Sequence, residues 1–316
     1  MKLSQMSSLV GGVVVAYYPD AKVFSDTLNS ALNEVDYLVV VNNSREPLHE
    51  LCAEVNGLQI TVIENKDNVG IAKALNLGIE YLIAKNCEYF LLLDQDSKVP
   101  KSMVSELIKA VNHLSDSTNQ IAAVGPSYFN SRLDKNAPFI QFDNFSIKKI
   151  NPDPMVPYVP VDFLITSGSL ITLSAIKNIG VMEDGLFIDY VDTEWCLRAV
   201  AKGYKLYGLS TVKMEHSLGD DPVVFFNKKM PMHSPLRHYY IARNALHLMK
   251  RSYIPVNKKI IILISMLKTF FFYSLVPSNR FSHLKMMCSG FYDGVSNNYG
   301  RYDKLVKLKN NLSHEV

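Results

Sequence analysis

Short apolar runs alternate with stretches of helical period through the first half of the chain. Residues 12–17 contain Val13, Val14, Val15 and Ala16, a β-branched run of the length of a buried strand. Residues 23–33 place Phe24, Leu28, Ala31 and Leu32 on one helical face. The alternation continues with strands predicted over 37–41, 60–63, 89–93 and 121–124, and helices over 47–55, 70–85 and 101–113. Strands alternating with helices predict βαβ units, hence an α/β fold on a mostly parallel sheet covered on both faces. In such sheets the ligand crevice lies beyond the carboxyl ends of the strands, so the residues after each strand carry the chemical information.

The regular pattern stops between 130 and 160, where Pro138, Pro152, Pro154, Pro157 and Pro160 mark an irregular connection. Residues 163–173 then read as a strand, 174–179 as a helix and 205–209 as a strand, with a carboxylate-rich stretch over 186–201. Beyond His216 the character changes. Residues 237–251 are helical and 258–276 are long and apolar. This predicts an α/β part over 1–215 and a helical part over 216–316, without internal repeats or low-complexity tracts.

Hydrophobic residues make up 48% of the 316 and charged residues 20%, which excludes a disordered chain, a collagen-like fibre and a coiled coil. Thirty-three Lys and Arg against 30 Asp and Glu leave a net charge of +3, too small for a protein whose main partner is nucleic acid. Cys52, Cys87, Cys196 and Cys288 are scattered with no C-x-x-C, so neither a zinc site nor a disulfide framework is indicated, and a reducing, cytoplasmic compartment fits. The apolar run after Lys2 resembles a short signal segment. It ends in Tyr17-Tyr18-Pro19-Asp20 with no small-residue cleavage site, which reads as a strand and its turn.

Four polar clusters follow predicted strand ends: Tyr17-Tyr18-Pro19, Asn42-Asn43-Ser44, residues 65–70 with Asn68, and Asp94-Gln95-Asp96-Ser97. An aromatic ring can stack on a base, amides can read its edge, and carboxylates with diphosphate oxygens suit Mg²⁺ or Mn²⁺. Each cluster alone also has a structural reading: core edge, Asx turn or helix cap. Their convergence on one sheet edge favours a nucleotide-diphosphate site with a metal. Asp189, Asp192 and Glu194 crowd three carboxylates into six residues. A capped helix with a Glu194–Arg198 pair is the structural reading. A carboxylate held at a pocket rim as general base is the functional one.

The order and spacing of Val14-Val15-Ala16-Tyr17, Asn68-Val69-Gly70-Ile71-Ala72 with Asn76-Leu77-Gly78, Leu92-Leu93-Asp94-Gln95-Asp96-Ser97 and residues 189–198 resemble the inverting GT-A glycosyltransferases of family 2. The Asp-Gln-Asp-Ser form and Asp192-Thr193-Glu194-Trp195-Cys196-Leu197-Arg198 are similar to the bacterial rhamnosyltransferases of O-antigen and related polysaccharides. The resemblance covers roughly residues 13–244. It implies a GT-A, Rossmann-like domain with a helical C-terminal region, moving L-rhamnose from dTDP-L-rhamnose to a hydroxyl of a lipid-linked or growing glycan. It also implies that Asp96 binds the metal, that Asp94 contacts metal or nucleotide, and that Asp192 is the base. His216 takes the place of a histidine that reaches metal or diphosphate, and Arg243 of a contact to diphosphate or acceptor. An ordinary loop histidine and a solvated helix face are the competing readings. Ser167-Gly168-Ser169 offers a close backbone approach to donor or acceptor, or a tightly packed strand. Asn42 stands where the family usually has an Asp. Its side-chain oxygen can accept a pyrimidine N3–H, without charge assistance.

Residues 260–276 form a 17-residue apolar stretch with Lys268 in the middle. A spanning helix wants about 20 apolar residues, and a central Lys costs roughly 2.5–3.5 kcal/mol on insertion. Lys258, Lys259, Lys268, Arg280 and Lys285 suit a helix lying in the plane of an anionic surface, on the inner face of the cell membrane. Packing on the catalytic part or in a homodimer, and spanning, are the other readings. Three functional rivals stand beside the main one. One is a family 2 transferase using a UDP-hexose. Another is a sugar-nucleotide pyrophosphorylase, which needs a basic Gly-rich loop after the first strand, whereas Gly11-Gly12 precedes it here. The third is a membrane scaffold that binds nucleotide without catalysis.

Overall fold

A computed structural model describes residues 8–53, 55, 60–115, 120–130, 135–215, 223–225, 228–230 and 233–306. His216 lies outside the described residues.

The first half is built as the periodicity predicts. Strand β1 (Val10–Ala16) is buried throughout. Helix α1 (Ala21–Leu32) starts at Asp20, whose carboxylate accepts the N–H groups of Lys22 and Val23 at 3.0 Å each and so satisfies two donors left open by the helix end. Then follow β2 (Tyr37–Asn42), α2 (His49–Ala53), β3 (Ile60–Glu64), α3 (Ile71–Ala84), β4 (Tyr89–Asp94), α4 (Met103–Ser115) and β5 (Ile121–Asn130). The strands β3-β2-β1-β4 are neighbours and all parallel. Their register pairs Val15 with Asp94, Ala16 with Asn42, and Asn42 with Glu64, which brings the ends of four strands level at one edge.

The proline-rich connection is more regular than its composition predicts. It contains β6 (Lys135–Ala137), the hairpin β7 (Phe139–Asp143) and β8 (Ser146–Ile150), and β9 (Tyr158–Val161). The strand expected over 163–173 shrinks to β10 (Leu170–Thr172), because Gly168 takes φ +80° and the chain turns there. Strand β10 inserts antiparallel between β4 and β5. Helices α5 (Leu173–Ile179) and α6 (Val191–Ala201) lead to β11 (Lys205–Glu215), parallel to β5, with β9 antiparallel on its outer side. A small hairpin, β12 (Val223–Phe225) and β13 (Lys228–Met230), precedes the helices α7 (Pro235–Lys250), α8 (Val256–Leu275) and α9 (Arg280–Val295).

Strand side chains alternate between two cores. Val13, Val15, Val39 and Val41 face α3, α5, α6 and the inner sides of α7 and α8. Val14, Ala16, Leu38 and Val40 face α1, α2 and α4. Helix α3 lies so close to β1 that a Cβ at Gly78 would meet Val13 Cγ1 at 2.4 Å. Helix α9 crosses α7 as closely, with Gly290 facing the Tyr239 carbonyl, where a Cβ would sit at 2.2 Å. Among the described residues no helix is long and apolar enough to cross a membrane.

Candidate active site

The acidic cluster is a turn at the end of β4. The Asp94 N–H donates to Ser97 Oγ at 3.0 Å, and the Ser97 N–H returns to the Asp94 carbonyl at 3.1 Å. Ser97 Oγ also shares a 2.5 Å hydrogen bond with Ser167 Oγ, so the Ser167-Gly168-Ser169 segment backs this turn. Asp96 points into solvent and Asp94 is half-buried. Burial pushes the Asp94 carboxyl up to about 6; the charge of Asp96 adds to this and Arg237 opposes it. The Tyr17 N–H donates to Gln95 Oε1 at 2.7 Å, which sets the half-exposed Tyr17 ring beside the acidic turn, edge-on to Tyr18.

Asn42 sits at the expected edge with its side chain committed inside the protein. Its Nδ2 donates to the Glu46 carbonyl at 2.7 Å and to Glu64 Oε2 at 2.5 Å, while Oδ1 accepts the Ser44 N–H at 2.7 Å. Asn42 is fully buried, and the carboxylate at this edge belongs to Glu64, one strand away. Asn68 Oδ1 accepts the Gly70 N–H at 2.9 Å, an Asx turn that holds Gly70 at φ +87° and opens α3. The next N–H, of Ile71, donates to the Phe187 carbonyl at 2.7 Å. A Cβ on Gly70 would lie 2.6 Å from the Phe187 ring, so this position requires glycine both for its φ and for the contact. Residues 65–70 are thereby tied to the loop that precedes α6.

That loop is strained. Phe187, Asp189 and Tyr190 have φ of +67°, +63° and +63°, at about 1–3 kcal/mol each for non-glycine residues. Helix α7 holds it in place. Asn244 Nδ2 donates to the carbonyls of Leu186, Ile188 and Asp189 at 3.0, 2.8 and 2.9 Å. The Arg243 guanidinium donates to the carbonyls of Gly185 and Leu186 at 3.2 and 2.8 Å and to that of Gly300. This corrects the expectation for Arg243. It is neither on a solvated face nor open to a ligand; it is fully buried and stacked near Tyr240. The arginine at the rim is Arg237, which sequence reasoning did not single out. It reaches Asp189 with Nη2–Oδ1 at 2.6 Å and Nε–Oδ2 at 3.3 Å.

The three clustered carboxylates therefore have different environments. Asp189 is paired with Arg237. Glu194 is buried in the core, accepting Arg198 Nε and Nη2 at 2.8 and 2.9 Å and the Tyr253 hydroxyl at 2.5 Å. Among the described residues Asp192, in the first turn of α6, accepts only from Thr193, at 2.7 Å from its N–H and 3.4 Å from its hydroxyl. No cation pairs with Asp192 among the described residues. Burial pushes its carboxyl up to about 6, the charges of Asp94 and Asp189 push further, and the Thr193 bonds oppose. The charge of Asp94 is felt at Asp192, so the two carboxylates lie near one another.

Among the described residues no group of three or more His, Cys, Asp or Glu side chains comes together as a metal cage. Asp94 and Asp96 still fit Mg²⁺ or Mn²⁺ in another form. They are two hard oxygen donors, one exposed and one partly buried, and such ions complete their shells with substrate phosphates.

Solved structures with the same fold include the S. aureus TarS 1–349 fragment in complex with UDP-GlcNAc, at a TM-score of 0.56, 16% identity, and coverage of 91% of this chain and 81% of that one. GalNAc-T7 with UDP, GalNAc and Mn²⁺ aligns at a TM-score of 0.55 and 14% identity over 83% of this chain, which spans 55% of that one. In sequence, the dTDP-rhamnosyl transferase RfbF of Shigella flexneri is 31% identical over 253 residues, 79% of this chain and 83% of the relative. The low-salt glycan biosynthesis hexosyltransferase Agl10 of Haloferax volcanii is 22% identical over 240 residues, 74% and 75% of the two. Residues 12–171, from β1 through the acidic turn to β10, match the model of glycosyl transferase family 2. The chain belongs to that family and is a GT-A glycosyltransferase.

Proposed function

We propose that the protein transfers L-rhamnose from dTDP-L-rhamnose, with inversion, to a hydroxyl of a lipid-linked or growing polysaccharide such as O-antigen, on the inner face of the cell membrane. The observation that carries the catalytic part is the isolation of Asp192: of three neighbouring carboxylates it alone has no cation beside it among the described residues. Support for the donor is the similarity to the Shigella flexneri dTDP-rhamnosyl transferase.

The chemistry is a single displacement. Asp192 takes the proton of the acceptor hydroxyl as its oxygen attacks the anomeric carbon. The bond from that carbon to the diphosphate oxygen breaks on the opposite face, and the nucleoside diphosphate leaves. Held by Asp94 and Asp96, Mg²⁺ or Mn²⁺ would neutralise charge on the departing diphosphate. Tyr17 offers a ring for the base, and Asn42 and Asn68 shape the loops around it. His216 is a further candidate ligand to metal or diphosphate.

A panel of sugar nucleotides tests the reading. With Mg²⁺ or Mn²⁺ present, dTDP-L-rhamnose should be hydrolysed faster than UDP-glucose or UDP-N-acetylglucosamine. The reverse order overturns the donor assignment in favour of a UDP-hexose. Nucleotide binding without hydrolysis or transfer of any donor overturns the enzymatic reading of the cleft.

A further inference from the structure

Helices α8 and α9 each carry an apolar face that no described residue covers. On α8, Leu263, Ile264, Leu267, Phe271 and Leu275 are exposed, Phe271 to 72%. At 100° per residue they fall within an arc of about 120°. Ile262, Met266 and Tyr273 are buried on the opposite side. On α9, Phe281, Phe291 and Val295 lie along one face, with Phe281 exposed to 75%, while His283, Met287, Gly290 and Asp293 face inward. Single exposed apolar residues are ordinary on a protein surface; rows of them on two helices that pack together are not.

The exposed charges on these helices have one sign. Lys268, Arg280 and Lys285 are exposed. Neither helix contains Glu, and their one Asp, Asp293, is buried and accepts the Tyr239 hydroxyl at 2.8 Å. A second copy docked on this face by a twofold axis would bring the same basic groups together with no exposed carboxylate on α8 or α9 to meet them. An anionic bilayer offers acyl chains to the rows and phosphates to the cations.

We propose that α8 and α9 dock the protein on an anionic lipid surface. Leu263, Leu267, Phe271 and Leu275 enter the acyl boundary, and Lys268, Arg280 and Lys285 stand at headgroup level. Helix α7, on which both helices pack, holds the Asp189 loop through Arg237 and Asn244, so docking also fixes how the cleft meets the membrane. The inference rests on the proposed lipid-borne acceptor only for its purpose. Vesicle binding is read without sugar donor or acceptor, so either reading can fail alone.

The test is cosedimentation of the full chain with vesicles of phosphatidylcholine alone and of phosphatidylcholine with phosphatidylglycerol. Binding should be roughly tenfold or more stronger to the anionic vesicles and should weaken with salt. Leu267→Ser with Phe271→Ser, and separately Lys268→Glu with Lys285→Glu, should each lower it by about tenfold or more, with donor hydrolysis in solution unchanged. Equal binding to both vesicle types, or no binding to either, overturns the proposal. A dimer in solution that the Leu267/Phe271 variant dissociates, with no vesicle binding, assigns the face to a second copy instead.

Discussion

Arg237 on α7 grips Asp189 at two points, Nη2 to Oδ1 at 2.6 Å and Nε to Oδ2 at 3.3 Å, at the rim of the cleft. The pair removes Asp189 from competition for the acceptor proton. Arg198 and Tyr253 remove Glu194 in the same way. Asp192 has no such cation among the described residues, and the proposed base role rests on that difference.

Replacing Asp192 by Asn should therefore lower transfer by 10²–10⁴-fold, a typical loss for a general base, while nucleotide affinity stays near wild type. Asp189→Asn should cost less. Glu194→Gln should act mainly on stability, by about 3–5 kcal/mol, because it leaves the Arg198 charge poorly compensated in the core. Transfer assays, nucleotide titration and thermal denaturation separate the three. Near-normal turnover by Asp192→Asn would remove it from the role.

The acid limb of the pH profile should lie near pH 6, where the carboxyls of Asp192 and Asp94 are both held, rather than at the ordinary 3.8 of an aspartate. The base works only when ionised, so kcat/KM should fall as pH drops through this region. The charge of Asp94 is one of the causes that raise Asp192. In Asp94→Asn the Asp192 carboxyl, followed by carbon NMR, should titrate at lower pH. An unmoved midpoint would show that the two charges do not share a cleft.

The same shifts predict that the site is a stability liability. A folded-state pKa above the unfolded one gives stability that is present below about pH 4 and lost as pH rises through about 6. At about pH 8, Asp94→Asn or Asp192→Asn should stabilise the ligand-free protein by ~1–2 kcal/mol, the full shift being discounted because both groups keep partial access to solvent. The gain should vanish below about pH 4. Melting temperatures across this range check the sign.

Nucleotide-diphosphate affinity should depend on Mg²⁺ or Mn²⁺ in the wild type, and Asp96→Ala should abolish that dependence. Two carboxylates beside a diphosphate repel it unless a cation intervenes. Titrations with and without EDTA read the effect; equal affinity in all four conditions would sink the idea.

Asn244→Ala should lower kcat more than it alters donor KM. Its amide joins three carbonyls of the left-handed loop that leads into α6 and Asp192, and each lost bond is worth about 1 kcal/mol. Arg243→Lys should be a poor substitute for Arg, because an ammonium cannot reproduce the planar fork that spans Gly185, Leu186 and Gly300. Steady-state kinetics beside melting curves distinguish misaligned catalysis from simple destabilisation. Unchanged kcat in Asn244→Ala would assign the amide a purely structural part.

What the sequence determined by itself is local. The β-branched runs, the Asp20 cap and the helical period of residues 71–84 depend on neighbours a few positions apart, and the parallel half of the sheet follows from their alternation. The place of Asp94 and Asp96 at the end of β4 was legible because the acidic pair sits where a clear apolar run stops. The proline-rich stretch concealed β6 to β9, whose pairing is with distant strands or short hairpins rather than with a local period. Tertiary structure alone decided which polar side chains are spent on the fold. Asn42 is engaged by Glu64, which parallel pairing sets beside it. Asp189 and Glu194 are engaged by Arg237 and Tyr253, 48 and 59 residues further on. Arg243 and Arg237 share one helix, yet only packing against the 185–190 loop turns one inward and leaves the other at the rim. A charge is available for chemistry only when no partner has neutralised it, and those partners are brought together by folding from far apart in the chain.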